Sequence, residues 1–296
     1  METWKVIKEY NIKDFSHVWM NTTHLQHPTI TPFGTGSINI LVGVRDAENR
    51  SRIRRFSIDK KFNISSIERE PLLELGGLGT FDEYGQIPSC IEIGPTANRL
   101  WYIGITRGTV PYKNSIGTAR IEKFEDYKYK RNNSPIISQS NNIPYFATSP
   151  WFQSRDSLLF VTGTGYIEEE GNLDSQYALA IADYHSRKCI VDTSDLRVML
   201  LPDEHRAIAR PVTYKDRLYF SARSNKHDYS IKVLLNGQWE SQNDVVFEGL
   251  PDSAKEMQCY PMPFEFDGKD YMLFNGNNYG KNSLLLAIKC SEGSLT

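Results

Sequence analysis

Arg99-Leu100-Trp101-Tyr102-Ile103-Gly104-Ile105 is an apolar, aromatic run of strand length. It follows Pro88, which stands in a short strand-like segment of its own, and it precedes a second β-like stretch over Ser115–Ile121. The same order recurs along the chain. Ile38–Val44 follows Pro28 and precedes Ser51–Ser57, and Ser157–Thr162 follows Pro150 and precedes Gln176–Ala182. Arg217–Ala222 follows Pro211 and precedes Tyr229–Leu234, and Lys269–Phe274 follows Pro261 and precedes Ser283–Lys289. The prolines are 60, 62, 61 and 50 residues apart. A repeat of roughly 40 to 60 residues with room for about four short strands marks a propeller blade. Five such units fill the 296 residues, so the expected fold is all-β, a single five-bladed β-propeller over residues 1–296. A two-sheet sandwich also has many short strands but gives no reason for this repeat. Lys5-Val6-Ile7 is placed to add a strand to the last unit and close the ring.

Composition narrows the function. Hydrophobic residues at 40% supply a core, and 24% charged residues is the level of an ordinary folded protein. A net charge of −2 argues against nucleic acid as a partner. No apolar run reaches the roughly 18 residues of a membrane span. The N-terminal Met1-Glu2-Thr3-Trp4-Lys5 lacks a secretory pattern. Cys90, Cys189, Cys259 and Cys290 form no CxxC pair and have no histidine at zinc-ligand spacing. The expectation is a cytoplasmic protein with reduced thiols, no metal and no cofactor. No GxxxxGK[ST] or GxGxxG motif occurs, and Gly163-Thr164-Gly165 reads as a turn.

In a propeller the first strands line a channel, and side chains 60 residues apart in sequence meet at one mouth. The residues expected there are His24, Gln26, His27 and Arg45-Asp46 from the first unit, and Asp82, Glu83 and Tyr84 from the second. Thr148-Ser149 comes from the third, and Glu204, His205, Arg210 and Arg223 from the fourth. Tyr260, Asn275, Asn277 and Asn278 come from the fifth. Amides and carboxylates bind hydroxyls, and arginine binds phosphate or carboxylate through two parallel hydrogen bonds. This set suits a polyhydroxylated, anionic ligand. Each member also has a plainer structural role. Asp46 can ion-pair across a turn, Asp82 can cap one, and Glu204 can be a solvated loop residue. Tyr260 can be a core ring, and Asn275-Gly276-Asn277-Asn278 can be a β-turn.

At these residues the chain resembles five-bladed β-propellers related to glycoside hydrolase families 43, 62 and 130. It is most similar to a bacterial branch associated with surface-polysaccharide biosynthesis, which also resembles the N-terminal domain of glucosamine inositolphosphorylceramide transferase. The resemblance is carried by His24-Leu25-Gln26-His27-Pro28, Val44-Arg45-Asp46 and Gly76–Ser89 with its Thr80-Phe81-Asp82-Glu83-Tyr84 centre. Tyr102-Ile103-Gly104, Ala209-Arg210-Pro211, Arg223, Tyr260-Pro261 and Phe274-Asn275-Gly276-Asn277-Asn278-Tyr279-Gly280 continue it. The resemblance implies a carbohydrate-active protein that hydrolyses, phosphorolyses or transfers a glycosyl group. The carboxylates it implies are Asp82, Glu204 and Asp46, although His27 stands where the first acid is usual. Arg45, Arg210 and Arg223 would bind phosphate or a sugar carboxylate. His24, Gln26, Tyr84, Tyr260, Asn275 and Asn277 would bind hydroxyls. The partners implied are a carbohydrate or sugar phosphate and a protein of a biosynthetic complex. The alternative is a non-catalytic sugar-binding or scaffold propeller.

Overall fold

The computed structural model describes residues 2–290, apart from 33–35, 108–111, 124–127, 170–171, 203, 225–228, 236–238 and 282. The apolar runs of the sequence are all strands, and the described helices are single turns. β1 is Glu2–Asn11. β2 (Thr23–Thr31), β3 (Ile38–Arg45), β4 (Ser51–Ile58) and β5 (Ile64–Ile67) form an antiparallel run. β6 (Gly85–Ile93), β7 (Asn98–Arg107), β8 (Tyr112–Lys123) and β9 (Lys128–Arg131) form the next. β10 (Ala147–Ser154), β11 (Ser157–Glu169), β12 (Asn172–His185) and β13 (Ile190–Leu200) follow. Then come β14 (Ala207–Tyr214), β15 (Arg217–Arg223), β16 (Ser230–Leu235) and β17 (Gln242–Glu248). β18 (Cys259–Phe266), β19 (Lys269–Asn275) and β20 (Ser283–Lys289) complete the chain, with β1 antiparallel on β20.

The first strand of each run faces its neighbours. β2 packs on β6, β6 on β10, β10 on β14, β14 on β18, and β18 returns on β2. The apolar core lies between successive runs. Leu41, Ile53, Leu100 and Tyr102 fill one gap, and Trp101, Phe160 and Tyr184 fill the next. Val161, Ile208 and Phe220 fill a third. Trp4, Tyr219, Met272 and Leu285 fill a fourth, and Phe15, Trp19, Phe56 and Leu273 fill the gap between the last run and the first.

The prolines have a mechanical reason. Proline cannot donate to a ladder, so it is confined to edges and bulges. Four of the first strands are edges, β6 meets β4 only at Gly85, and each first strand carries a register shift at its proline: Gln26/Thr29, Pro88/Cys90, Thr148/Trp151, Ala209/Val212 and Cys259/Met262. The residue before the proline is left-handed in four of them, with φ of 53° at His27, 50° at Ser149, 53° at Arg210 and 56° at Tyr260. Ile87 before Pro88 is β-branched and has no positive φ, in keeping with the steric cost of that region for branched side chains. A bulge re-aims a side chain. The repeated bulge therefore turns one side chain of each run toward the middle of the ring.

Two polar devices join the ends of the chain. β1 lies between β20 and β17, parallel to the latter, so it spans more than the expected Lys5–Ile7. The buried Glu2 carboxylate accepts from Tyr219 Oη at 2.8 Å and Trp4 Nε1 at 3.4 Å, and it pairs with Arg217 and Lys289. At the other end Asn275 is fully buried. Its Oδ1 accepts from His27 N–H at 3.1 Å, and its Nδ2 donates to the carbonyls of Leu25 at 2.7 Å and Ser283 at 3.4 Å. Gly280 (φ +76°) makes room for it, since a Cβ there would come within 2.4 Å of Nδ2. Asn275→Ala orphans two buried backbone groups of β2. The expected cost is roughly 2–4 kcal/mol, read as a lower urea midpoint with unchanged m-value; an unchanged midpoint would show that the junction does not depend on this amide.

Candidate functional site

A cavity of about 250 Å³ lies over the ring and takes side chains from every run. His27 reaches it from β2, Asn114 from β8, Ser149 from β10, and Ser175 and Tyr177 from β12. Arg223 reaches it from β15 and Tyr260 from β18, while Tyr229 comes from just before β16 and Tyr279 from the single helical turn after β19. Ile87, Ile103, Ile105 and Ile208 supply apolar floor and walls. One wall is a chain of rings. His27 lies 4.0 Å from Tyr260, Tyr260 lies 6.4 Å from Tyr279, and Tyr279 lies 6.0 Å from Tyr229. Arg223 stands over the Tyr229 ring at 5.6 Å, and its Nε donates to Tyr229 Oη at 3.3 Å. Burial drives the Tyr260 and Tyr229 phenols well above their ordinary range, so both stay O–H donors.

Arg210 lies beneath the cavity, 1% exposed. Its Nη2 donates to the Pro28 carbonyl at 2.6 Å and Thr29 Oγ1 at 3.0 Å, and its Nη1 donates to the Pro88 carbonyl at 3.3 Å. The guanidinium also faces the Trp151 ring at 6.0 Å and Met262 sulfur at 3.5 Å. No carboxylate among the described residues pairs with it, and its Nε has no partner. Burial lowers its pKa to about 9, which leaves it charged near neutrality. Arg210 Nη1 also lies 3.2 Å from His27 Nδ1. A guanidinium only donates, so Nδ1 is the acceptor and the His27 proton sits on Nε2. Burial first, and the Arg210 charge second, hold the His27 pKa well below its ordinary value. His27 is therefore a neutral donor in the cavity wall. Asn114 Oδ1 is buried there with no partner among the described residues.

The structure brings together only part of the set read from the sequence. Arg223 and Tyr260 line the cavity, with His27 and Ser149 beside them, and Arg210, outside the lining, bonds to His27. Gln26 and Arg45 form a neighbouring group, with Arg45 Nε 3.4 Å from Gln26 Oε1. The charge of Arg45 reaches both Tyr260 and His24. His24 is buried against Thr23 Oγ1 at 2.8 Å. The remaining residues stand elsewhere. Asn275 joins β19 to β2, and Asn277 accepts from the N–H groups of Glu256 and Met257. Tyr84 lies on the surface under Arg107. Asp46 closes the β3–β4 turn by accepting from the Glu48 and Arg50 backbone and Arg50 Nε. Glu204 accepts from Gln242 Nε2 at the exposed entry to β14. Asp82 is fully buried inside the second run. Its oxygens accept from Gln86 Nε2 at 2.8 Å, Tyr102 Oη at 2.9 Å and Arg131 Nη1 at 2.9 Å. Gly163-Thr164-Gly165, expected as a turn, lies inside β11 at a register shift.

The sequence repeat does not mark Tyr177, Ser175 or Asn114 for the mouth. They come from outer strands, where alternation alone does not say which residue bends inward. Ser149 carries the same signal as His27, Arg210 and Tyr260, its place before a proline.

No family model matches the chain. It is 27% identical over 256 residues to Uncharacterized protein Rv1502 of Mycobacterium tuberculosis (strain ATCC 25618 / H37Rv), covering 82% of this chain and 85% of that protein. Solved structures add the fold. A thermostable family-43 glycoside hydrolase superposes with a TM-score of 0.60 at 10% identity over 92% of this chain and 91% of its own. An α-L-arabinofuranosidase from Lactobacillus brevis gives 0.61 at 7% identity over 90% of each chain. The α-L-arabinofuranosidase PaAbf62A from Podospora anserina, in complex with cellotriose, gives 0.59 at 9% identity over 98% of this chain and 96% of its own. The chain shares the β-propeller fold of glycoside hydrolases. At such identities the likeness concerns the fold and leaves the chemistry to the site.

Two acid responses follow from this geometry. Burial, aided by Arg45 and Lys281, lowers the His24 pKa to about 3, and His27 is lowered too. A histidine depressed in the folded state takes up its proton on unfolding, so its stabilising contribution is complete above the unfolded value of about 6.5 and is lost as pH falls below it. His24 alone should remove roughly 2 kcal/mol between pH 7 and pH 5, and His27 acts in the same direction. The check is urea unfolding across that range, in which His24→Gln and His27→Gln should each flatten the slope. Asp82→Asn, by contrast, should lower stability by about 2–3 kcal/mol at neutral pH, because it leaves Arg131 without its buried carboxylate partner; a full-strength fold with lost ligand binding would instead make Asp82 a site residue.

Proposed function

We propose that the chain is a single-domain, five-bladed β-propeller that binds an anionic carbohydrate, a sugar phosphate or sugar acid, in the cavity above Arg210. The four-stranded runs and the return of β18 on β2 support the blade count. The observation that carries the ligand class is electrostatic. Arg210 is a buried cation without a carboxylate that touches the lining residue His27, Arg223 lines the cavity itself, and no Asp or Glu is among the described lining residues. An uncompensated buried charge costs several kcal/mol, and an anion in the adjoining cavity offsets that cost. The remaining groups suit a sugar. Tyrosine faces give an amphipathic wall, His27 Nε2–H and the phenols donate to oxygens, and Asn114 Oδ1 accepts a hydroxyl proton.

Hydrolysis by two flanking carboxylates needs an acid on each side of the scissile bond. The described lining supplies none, which favours binding over two-carboxylate hydrolysis. A second reading, glycosyl transfer or phosphorolysis, is favoured by one observation. Glu204 connects through Gln242 to His205 at the edge of the adjacent cavity. The sequence resemblance supports a place in polysaccharide biosynthesis beside a partner protein, and the four free cysteines fit a cytoplasmic setting. No helix among the described residues is long and apolar enough to cross a membrane.

A thermal-shift screen with hexose phosphates, hexuronic acids, neutral hexoses and inorganic phosphate tests the reading. At a hundred times its dissociation constant a true ligand adds about 2.7 kcal/mol of stability. The expected result is stabilisation by a charged sugar and not by its neutral counterpart, with affinity reduced about tenfold to a hundredfold in Arg223→Ala. Equal response to neutral sugars, or no effect of Arg223→Ala, would contradict it.

A further inference from the structure

A second cavity of about 440 Å³ adjoins the first, and Tyr177 lines both. Its polar lining is Thr164, Gln176, His205 and Arg206. The two cavities are joined through the backbone as well, since Arg206 N–H donates to the Arg223 carbonyl at 2.8 Å. Arg206, the residue before β14, thus sits beside Arg223 at the end of β15; each lines one cavity, and Tyr177 lines both.

Three features show that this cavity is built. First, Gly163 pairs with Tyr177 and Gly165 with Gln176, so Thr164 is the unpaired residue of a β-bulge and is turned into the lining. Second, Gly165 leaves space for Gln176, since a Cβ there would come within 2.7 Å of Gln176 Oε1. Third, His205 is oriented. The Glu204 carboxylate only accepts, so the Gln242 amide nitrogen faces it. The Gln242 oxygen then faces His205 Nε2 at 2.8 Å and accepts its proton. Nδ1 remains as the acceptor of the neutral ring.

We propose that the second cavity is a pyrophosphate subsite, and that the ligand of the first cavity is a sugar joined through a pyrophosphate. This rests on the reading of the first cavity as a sugar-anion site. The sugar ring lies against the tyrosine wall, the proximal phosphate meets Arg223, and the distal phosphate passes Tyr177 to Arg206. Thr164 Oγ1 and the Gln176 amide supply hydrogen-bond donors to phosphate oxygens. Two arginines joined through their backbones, one in each of two cavities that share Tyr177, fit two successive phosphates better than a single anion, which one guanidinium satisfies in bidentate fashion.

The test is calorimetric titration of wild type, Arg206→Ala, Arg206→Gln, Thr164→Val and Arg223→Ala. The probes are nucleoside-diphosphate hexoses, the matching hexose 1-phosphates, and nucleoside diphosphates without sugar. In wild type a nucleoside-diphosphate hexose should bind about tenfold or more tightly than its 1-phosphate. Arg206→Ala and Arg206→Gln should erase that advantage and leave 1-phosphate affinity unchanged, Thr164→Val should reduce it, and Arg223→Ala should weaken both classes. Ligand-free melting shows whether each variant is folded, and a misfolded one is replaced by the other Arg206 variant. Equal affinity of the two classes in wild type, or Arg206 variants that change neither, would overturn the subsite while Arg223→Ala still upheld the first cavity. Equal binding by nucleoside diphosphates without sugar would assign the affinity to the nucleotide and overturn the proposal. If no phosphorylated sugar bound at all, the subsite would fall, and the first-cavity reading would fall with it unless a hexuronic acid bound and lost affinity in Arg223→Ala.

Discussion

A guanidinium held without a carboxylate at the centre of the ring is the constraint on which the rest of this structure depends. Arg210 donates to the carbonyls of Pro28 and Pro88, to Thr29, and toward His27. It therefore bonds the innermost strands of the first two runs from the innermost strand of the fourth. Its position follows from its backbone. Arg210 precedes a proline in a bulged edge strand at φ 53°, and the bulge turns its side chain inward. Desolvating an arginine is costly, and carbonyl dipoles repay only part of that cost. The residual positive potential is a property of the channel, and the cavity above inherits it.

The other features of the cavity are consistent with that potential. His27 is kept neutral by burial and by Arg210, so it donates rather than adding charge. Tyr229 and Tyr260 keep their protons because burial penalises phenolate. Two of the three carboxylates the sequence offered are engaged in structural contacts instead. Asp82 holds Tyr102, Gln86 and Arg131 inside one run, and Asp46 closes a turn. Among the described lining residues the cavity presents arginine, phenol and imidazole donors rather than a pair of acids.

The strands were legible because each apolar run is bounded by turn residues and each first strand carries a proline that only an edge or bulge tolerates. The N-terminal strand was legible in position but short in extent, because its outer half alternates weakly. The site was legible where it follows the repeat: residues before the prolines reach the centre, as His27, Ser149, Arg210 and Tyr260 do. It was illegible where polar residues serve the fold. Asn275 and Asn277 look like ligand-binding amides, yet they satisfy backbone groups that the chain reversal leaves unpaired. Nor does sequence spacing reveal that Gly163-Thr164-Gly165 is a bulge within a long strand, since Gly-Thr-Gly is equally good turn chemistry.

The most direct test of the central claim is a crystal structure of the chain grown with a stabilising sugar phosphate. The account predicts the sugar against Tyr260 and Tyr279, with a phosphate oxygen within hydrogen-bond distance of Arg223 and a ligand oxygen on His27 Nε2. A ligand bound elsewhere on the propeller, or seated in the cavity with its anionic group turned away from Arg223, would contradict it.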